Sequence, residues 1–326
     1  MKGSKRLEEI DILKSIGIIL MVMGHIGFSG IFDHYIHSFH MPMFYIISGF
    51  LYKKTNITLR EFIRKKAKSL LIPYIIFAIF HLICWYMMML LLGNNASIIP
   101  FVSIFTFNTE NMPISGALWF LTSLFFVDII FYLISKIQNQ ILRYFIIIMV
   151  SLFGCIIPYF TRLPWALDTA CMGVGLYTIG VLFKKLEKKI GEGSTIYKSA
   201  ILSVLIGSII TFINGYINVR QGSYSNIILY YIVATLMTYG LYIIAKGFLN
   251  YNGFVIEELK FIGKNSLVYV CLNQIVLLIP SKIVSLIDNR IILLGGKILT
   301  FLCSLIILHI LVIVLNKKYI RWALGK

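Results

Sequence analysis

The sequence predicts an all-α integral membrane protein: a single bundle of about ten transmembrane helices with both termini in the cytoplasm. Three observations predict it. Of 326 residues, 59% are hydrophobic and only 13% charged, and the mean hydropathy is +0.88, more apolar surface than the interior of a soluble domain of this length can take up. Apolar runs near the length that crosses a bilayer, about 20 residues, recur along the chain and leave no stretch for a separate soluble domain. Residues 1–326 therefore read as one polytopic domain. Third, the basic residues segregate to one side of those runs.

The runs fall near 9–29, 36–52, 71–93, 116–135, 142–160, 167–183, 199–216, 227–246, 265–281 and 291–316. Lys and Arg total 30 against 13 Asp and Glu, a net charge of +17 that in a soluble chain would suggest a nucleic-acid partner. Their positions argue otherwise. With the amino terminus inside, 25 lie on the cytoplasmic side, among them Lys2, Lys5, Arg6, Lys14, the stretch from Lys53 to Lys68, the loop from Lys184 to Lys198 and the tail from Lys317. Only Arg162, Arg220, Lys282, Arg290 and Lys297 lie outside, the bias that sets topology in the cell membrane. The expected partner of this basicity is the lipid bilayer, not nucleic acid. The first apolar run follows a basic start but contains Asp11 and Lys14 and precedes no small-residue cleavage site, so it is expected to be retained.

Two connections stand out. Residues 58–70, with Arg60, Arg64, Lys65, Lys66 and Lys68 among Leu and Ile, read as an amphipathic helix on the cytoplasmic face, serving either as a headgroup anchor or in function. Residues 93–116, rich in Asn, Ser and Thr, form the longest outer connection, with an apolar middle that dips into the interface. The five cysteines are isolated, without Cys-x-x-Cys or metal-ligand spacing. They read as small packing residues.

Ionisable groups inside spans cost roughly 2.5–3.5 kcal/mol each on insertion scales, so each asks for a partner or a function. The first span carries Asp11, Lys14 and His25. The eleven-residue step from Lys14 to His25 is close to three helical turns and about 16 Å of rise, which puts both on one face at opposite membrane levels. The structural alternative has Lys14 snorkelling, Asp11 paired with it at i, i+3 and His25 at the interface. The second span opens with His37 and His40 at the level of His25, without a third ligand that would make a metal site, and continues to Ser48 and Gly49, which suit close helix packing. Asp128 lies near mid-membrane; Asp168 begins the sixth span at the outer level, either orienting a histidine or capping its helix.

Asp11, Lys14 and His25, with Phe39-His40-Met41-Pro42 and Ile47-Ser48-Gly49-Phe50, resemble the membrane-bound acyltransferase-3 family, in particular its fucose 4-O-acetylase-like branch. The resemblance continues in order through Arg64 to Tyr74 with Pro73, Leu118-Trp119-Phe120-Leu121, Leu163-Pro164-Trp165 to Thr169, Gly180, and Ile262-Gly263-Lys264-Asn265-Ser266-Leu267, nearly the whole chain. It implies transfer of an acyl group, commonly acetyl, from cytoplasmic acetyl-CoA to a hydroxyl of an extracytoplasmic glycan or similar acceptor.

On that resemblance Lys14 with Arg64, Lys65 and Lys68 would hold coenzyme A phosphates at the inner face, with Ser48 also on the donor path. His25 would be general base or transient acyl carrier, supported by Asp168 or Asp128, and His40, Trp119, Trp165 and Arg220 would shape the acceptor site. No metal is expected. The chain departs from the family at Lys14, often Arg, and at Asn273-Gln274, where many members carry a His; Asn cannot take a proton. The competing reading is a transporter, for example of an amino acid, that uses the same intramembrane polar residues to line a solute path.

Overall fold

The computed structural model describes residues 6–95, 97–187 and 193–325, and every regular element among them is helical. In chain order these are α1 (Glu8–Ile26), α2 (Gly30–His37), α3 (His40–Phe50), α4 (Leu59–Lys66), a π-helical turn (Ala67–Leu71), α5 (Ile72–Leu91) and α6 (Ile99–Phe105). They continue as α7 (Trp119–Ser135), α8 (Gln140–Ile156), α9 (Leu167–Glu187), α10 (Ser194–Asn214), α11 (Ile227–Phe248), α12 (Phe254–Lys264), α13 (Ser266–Val284) and α14 (Arg290–Leu315). Lys2, Lys5 and residues 188–192 of the basic loop lie outside the described residues.

Among the described residues seven helical runs are long and apolar enough to cross a membrane: Leu59–Leu91, Gln140–Tyr159, Pro164–Glu187, Ser194–Asn214, Ile227–Phe248, Ser266–Val284 and Arg290–Leu315. Several of them leave much of their apolar surface exposed. On α14 the inward positions include Thr300 and Ser304, while Ile291, Leu299, Ile306, Ile310 and Ile313 face out, the pattern expected where the solvent is lipid. Helix ends follow the sequence locally. Asn139, Asn226 and Asn289 cap α8, α11 and α14 by accepting backbone N–H groups, each worth about 1 kcal/mol, and Gly27 (φ 73°) closes α1 by donating to Met23 and Gly24 carbonyls.

Three expectations are revised. The run 36–52 is not one helix: it breaks at Ser38 and Phe39 into α2 and α3. Pro42 has no N–H and sits in the first turn of α3, where a missing donor costs nothing, while Ser38 Oγ donates to the Tyr35 carbonyl, 2.7 Å, at the break. The basic helix of 58–70 forms, opened by a Thr58–Glu61 capping box, but it passes through the π turn into α5 without interruption, making one 33-residue run. Pro73 cannot donate to the Ser69 carbonyl, and the wider turn just before it takes up the mismatch. Finally, α12 lies between the predicted runs 227–246 and 265–281.

The chain divides into two compact units. The first comprises the described parts of Met1–Tyr52, Ile179–Ile217 and Tyr224–Ser266. Its core joins Ile10, Ile12 and Leu13 of α1 to Met43, Ile47 and Phe50 of α3 and to Tyr242 and Ile243 of α11. Two glycines of the family-like motifs set its closest approaches. A Cβ on Gly263 would lie 1.7 Å from the Asp11 carbonyl oxygen, and one on Gly180 1.9 Å from that of Ile46.

The second unit comprises Lys53–Thr178, Asn218–Ser223 and the described part of Leu267–Lys326. Gly154 of α8 lies against the backbone of α9, where a Cβ would come within 2.1 Å of the Met172 nitrogen. Ile134, Ile147 and Val174 form a local core. Phe62 of α4 stacks on Tyr132 of α7, ring centroids 4.4 Å apart. The 93–116 connection contains the short helix α6.

Candidate functional site

In the first unit the chemistry is concentrated on α1. Asp11 is buried, and its carboxylate is taken by Arg6, whose Nε donates to Oδ2 and whose Nη2 donates to Oδ1 at 3.0 Å. Lys14 Nζ lies 4.0 Å from Oδ1, the outer limit of an ion pair. The expected Asp11–Lys14 pair is therefore secondary, and Lys14 keeps most of its donor capacity. One α-helix carries Lys14 and, about 16 Å further on, His25 in its last turn, exposed.

His40 is 5% exposed, and His37 and His25 both lie within electrostatic reach of it. The His37 and His40 rings meet edge to face with centroids 5.1 Å apart. His40 Nδ1 lies 2.7 Å from the Ile36 carbonyl. A carbonyl only accepts, so Nδ1 carries the proton and Nε2 holds the lone pair of the neutral ring. His37 Nδ1 likewise reaches the Asp33 carbonyl, 2.8 Å, and Asp33 Oδ2 accepts from Tyr216 OH, also 2.8 Å. Ser48, expected on the donor path, donates to the Phe44 carbonyl of its own helix, 2.8 Å. Among the described residues no group of three His, Cys, Asp or Glu could hold a metal ion.

In the second unit both candidate carboxylates are held by cations. Asp128 accepts from Lys66 Nζ, 2.7 Å, and from Tyr177 OH, 2.9 Å. Asp168 is the second residue of α9 rather than its cap, and its Oδ2 accepts from Arg162 Nε. Sequence spacing signalled neither partner: Lys66 is 62 positions from Asp128, and Arg162 reaches Asp168 across the irregular turn that precedes α9. Arg64, Lys65 and Lys68 are exposed, while Lys66 between them turns inward. Arg64 and Lys68 line one open groove of about 640 Å³ with Ile72, Ile75, Ile76 and Trp322.

Three connections converge in this unit. Trp165 N donates to the Thr106 carbonyl, 2.8 Å, and its indole Nε1 to the Ile104 carbonyl, 3.0 Å, which also accepts from Tyr74 OH, 2.6 Å. Trp165 and Ala166 both have positive φ, 55° and 54°, a strain of about 1–3 kcal/mol each that only well-packed surroundings hold in place. Arg220 Nε donates to the Thr109 carbonyl, 2.8 Å. Trp119 is buried at the start of α7, and Asn273 Nδ2 donates to the Tyr269 and Val270 carbonyls of its own helix.

The long apolar helices define a polytopic membrane protein. Residues 7–309 match the family model of the acyltransferase-3 type, an acyltransferase domain, and the chain belongs to that family: it is a multi-pass membrane acyltransferase. Comparison with curated proteins and with solved structures gave no match.

Proposed function

We infer that the protein moves an acetyl group from cytoplasmic acetyl-CoA to a hydroxyl of an extracytoplasmic glycan, with about ten spans and both termini in the cytoplasm. The observation that carries this reading is α1. Arg6 occupies Asp11, so Lys14 is left to bind an anion, and the same helix ends in an exposed His25 about 16 Å away. That distance suits an extended thioester donor gripped at its phosphates and reacting at its far end.

Lys14 binds a donor phosphate by charge-assisted hydrogen bonds, and the exposed Arg64, Lys65 and Lys68 give the cytoplasmic face a field that concentrates a polyanionic donor. His25 takes the proton of the acceptor hydroxyl as that oxygen attacks the thioester carbonyl; the C–S bond breaks and the thiolate recovers the proton, giving an ester and free coenzyme A. In the two-step form the imidazole first takes the acyl group and then yields it to the hydroxyl. The reading assigns His40 in the first unit and Trp119, Trp165 and Arg220 in the second to the acceptor. Asp128 and Asp168, each bound to a cation in its own unit, serve as positioning residues for Lys66 and Arg162. The glycan acceptor rests on the resemblance to the fucose 4-O-acetylase-like branch; nothing in the family match favours a transporter.

Purified protein incubated with acetyl-labelled acetyl-CoA tests the reading. Label transferred to a glycan or released by hydrolysis, and lost in His25→Ala, is the expected result. No coenzyme A binding, together with solute uptake by proteoliposomes, would replace the enzyme with a transporter.

A further inference from the structure

The convergence around Arg220 holds more polar capacity than the fold itself uses. Arg162 and Arg220 lie within electrostatic reach of each other. Gly222, two residues beyond Arg220, would place a Cβ 3.7 Å from the Arg162 guanidinium carbon. Burial, then the like charge of Arg162, pushes the Arg220 pKa below its usual value, with only Glu110 opposing. Asp168 already balances Arg162, so it is Arg220, partly out of water beside that pair, that gains from an added anion.

Several buried polar atoms here have no hydrogen-bond partner among the described residues: Arg162 Nη2, Asp168 Oδ1, Thr109 Oγ1 and Asn108 Oδ1. Asp168 and Asn108 are fully buried and Thr109 is 5% exposed. Burying such atoms unpaired costs about 1–3 kcal/mol each, so their retention points to something that pairs with them. They offer a particular mixture. Arg162 Nη2 donates, Asp168 Oδ1 and Asn108 Oδ1 accept, and the Thr109 hydroxyl does both. A polyol presents hydroxyls that donate and accept at neighbouring atoms, and an oxyanion on the same molecule would meet the guanidiniums. Gly116 adds to this: its Cβ would fall 2.7 Å from Arg220 Nη1, so only glycine leaves the guanidinium its place.

We propose that Arg162, Arg220, Thr109 and Asp168 form a subsite for an acidic saccharide, a sugar carrying a carboxylate or phosphate. The assignment deepens the acceptor side of the acyltransferase reading and rests on it for its place in the reaction. Binding without any acyl donor tests it separately. The full-length protein in nanodiscs, with no acetyl-CoA, is titrated with methyl glucuronide, with glucose 6-phosphate and with neutral methyl glucoside, followed by tryptophan fluorescence.

At least one charged sugar is expected to bind about tenfold tighter than the neutral one, and which one does so identifies the oxyanion. Arg220→Gln removes the preference and Arg220→Lys restores part of it. Thr109→Val discriminates a ligand group from a structural one. Its hydroxyl has no partner among the described residues, so the thermal midpoint stays level or rises while charged-sugar affinity falls several-fold. Equal binding of charged and neutral sugars overturns the proposal, as does sulfate binding as tightly as either charged sugar, or a Thr109→Val variant that loses stability but keeps affinity. Binding as expected without acetyl transfer would refute the acyltransferase chemistry alone.

Discussion

Lys66 Nζ lies 2.7 Å from Asp128 Oδ2, and the Tyr177 hydroxyl 2.9 Å from Oδ1 of the same carboxylate. One lysine of a basic run thus turns inward to a carboxylate 62 positions away, while its neighbours Arg64, Lys65 and Lys68 stay exposed. The pair is unequal: the Asp128 side chain is 4% exposed and that of Lys66 28%.

That inequality sets the stability of variants. Lys66→Met strands a buried carboxylate and is expected to cost about 3 kcal/mol. Asp128→Asn costs less, about 1 kcal/mol, because Asn still accepts from Tyr177 and the lysine can reach water. The double variant should be no worse than Asp128→Asn alone. Thermal unfolding of the three proteins measures this, and equal losses in the two single variants would contradict the pairing.

The contact of α1 with α12 is set at Gly263, where an added Cβ meets the Asp11 carbonyl oxygen at 1.7 Å. Gly263→Ala must move one helix from the other and is expected to lower stability by about 1–3 kcal/mol. Gly295→Ala, with nothing within 4 Å of the new Cβ, should be neutral or stabilising by up to about 1 kcal/mol. Melting curves of the two variants that coincide would remove the close approach from the account.

Arg6 keeps Asp11 from Lys14. In Arg6→Gln the carboxylate is released to pair with Lys14, and the KM for acetyl-CoA is expected to rise about fivefold, a surface-scale electrostatic effect. Adding Asp11→Asn should return it towards the wild-type value. A donor KM that ignores both changes would mean that Lys14 does not bind the donor.

Composition made the helical, membrane-embedded class legible, because long apolar runs have one solution in lipid. The long runs of α10, α11 and α14 fall close to where hydropathy places them. The break before α3 was harder to see. Pro42 lies within a continuous apolar run, and hydropathy does not register a missing N–H. Helix α12 escaped notice because Glu257, Glu258, Lys260 and Lys264 dilute its apolar face over only eleven residues. In the candidate site, Lys14 and His25 were readable since both sit on one helix, where spacing converts directly to distance. Lys66 was not, for its partnership depends on how α4 packs against α7, and Arg162 was not, because it reaches Asp168 only through the positive-φ turn at Trp165 and Ala166.

Donor kinetics on two α1 variants test the central claim, that one helix carries both the donor grip and the reacting base. Lys14→Gln is expected to raise the KM for acetyl-CoA while kcat stays near the wild-type value. His25→Ala is expected to lower kcat by roughly 10²–10⁴ with donor KM unchanged. A His25→Ala enzyme within a few-fold of wild-type kcat, or a Lys14→Gln enzyme with unaltered donor KM, would contradict the account.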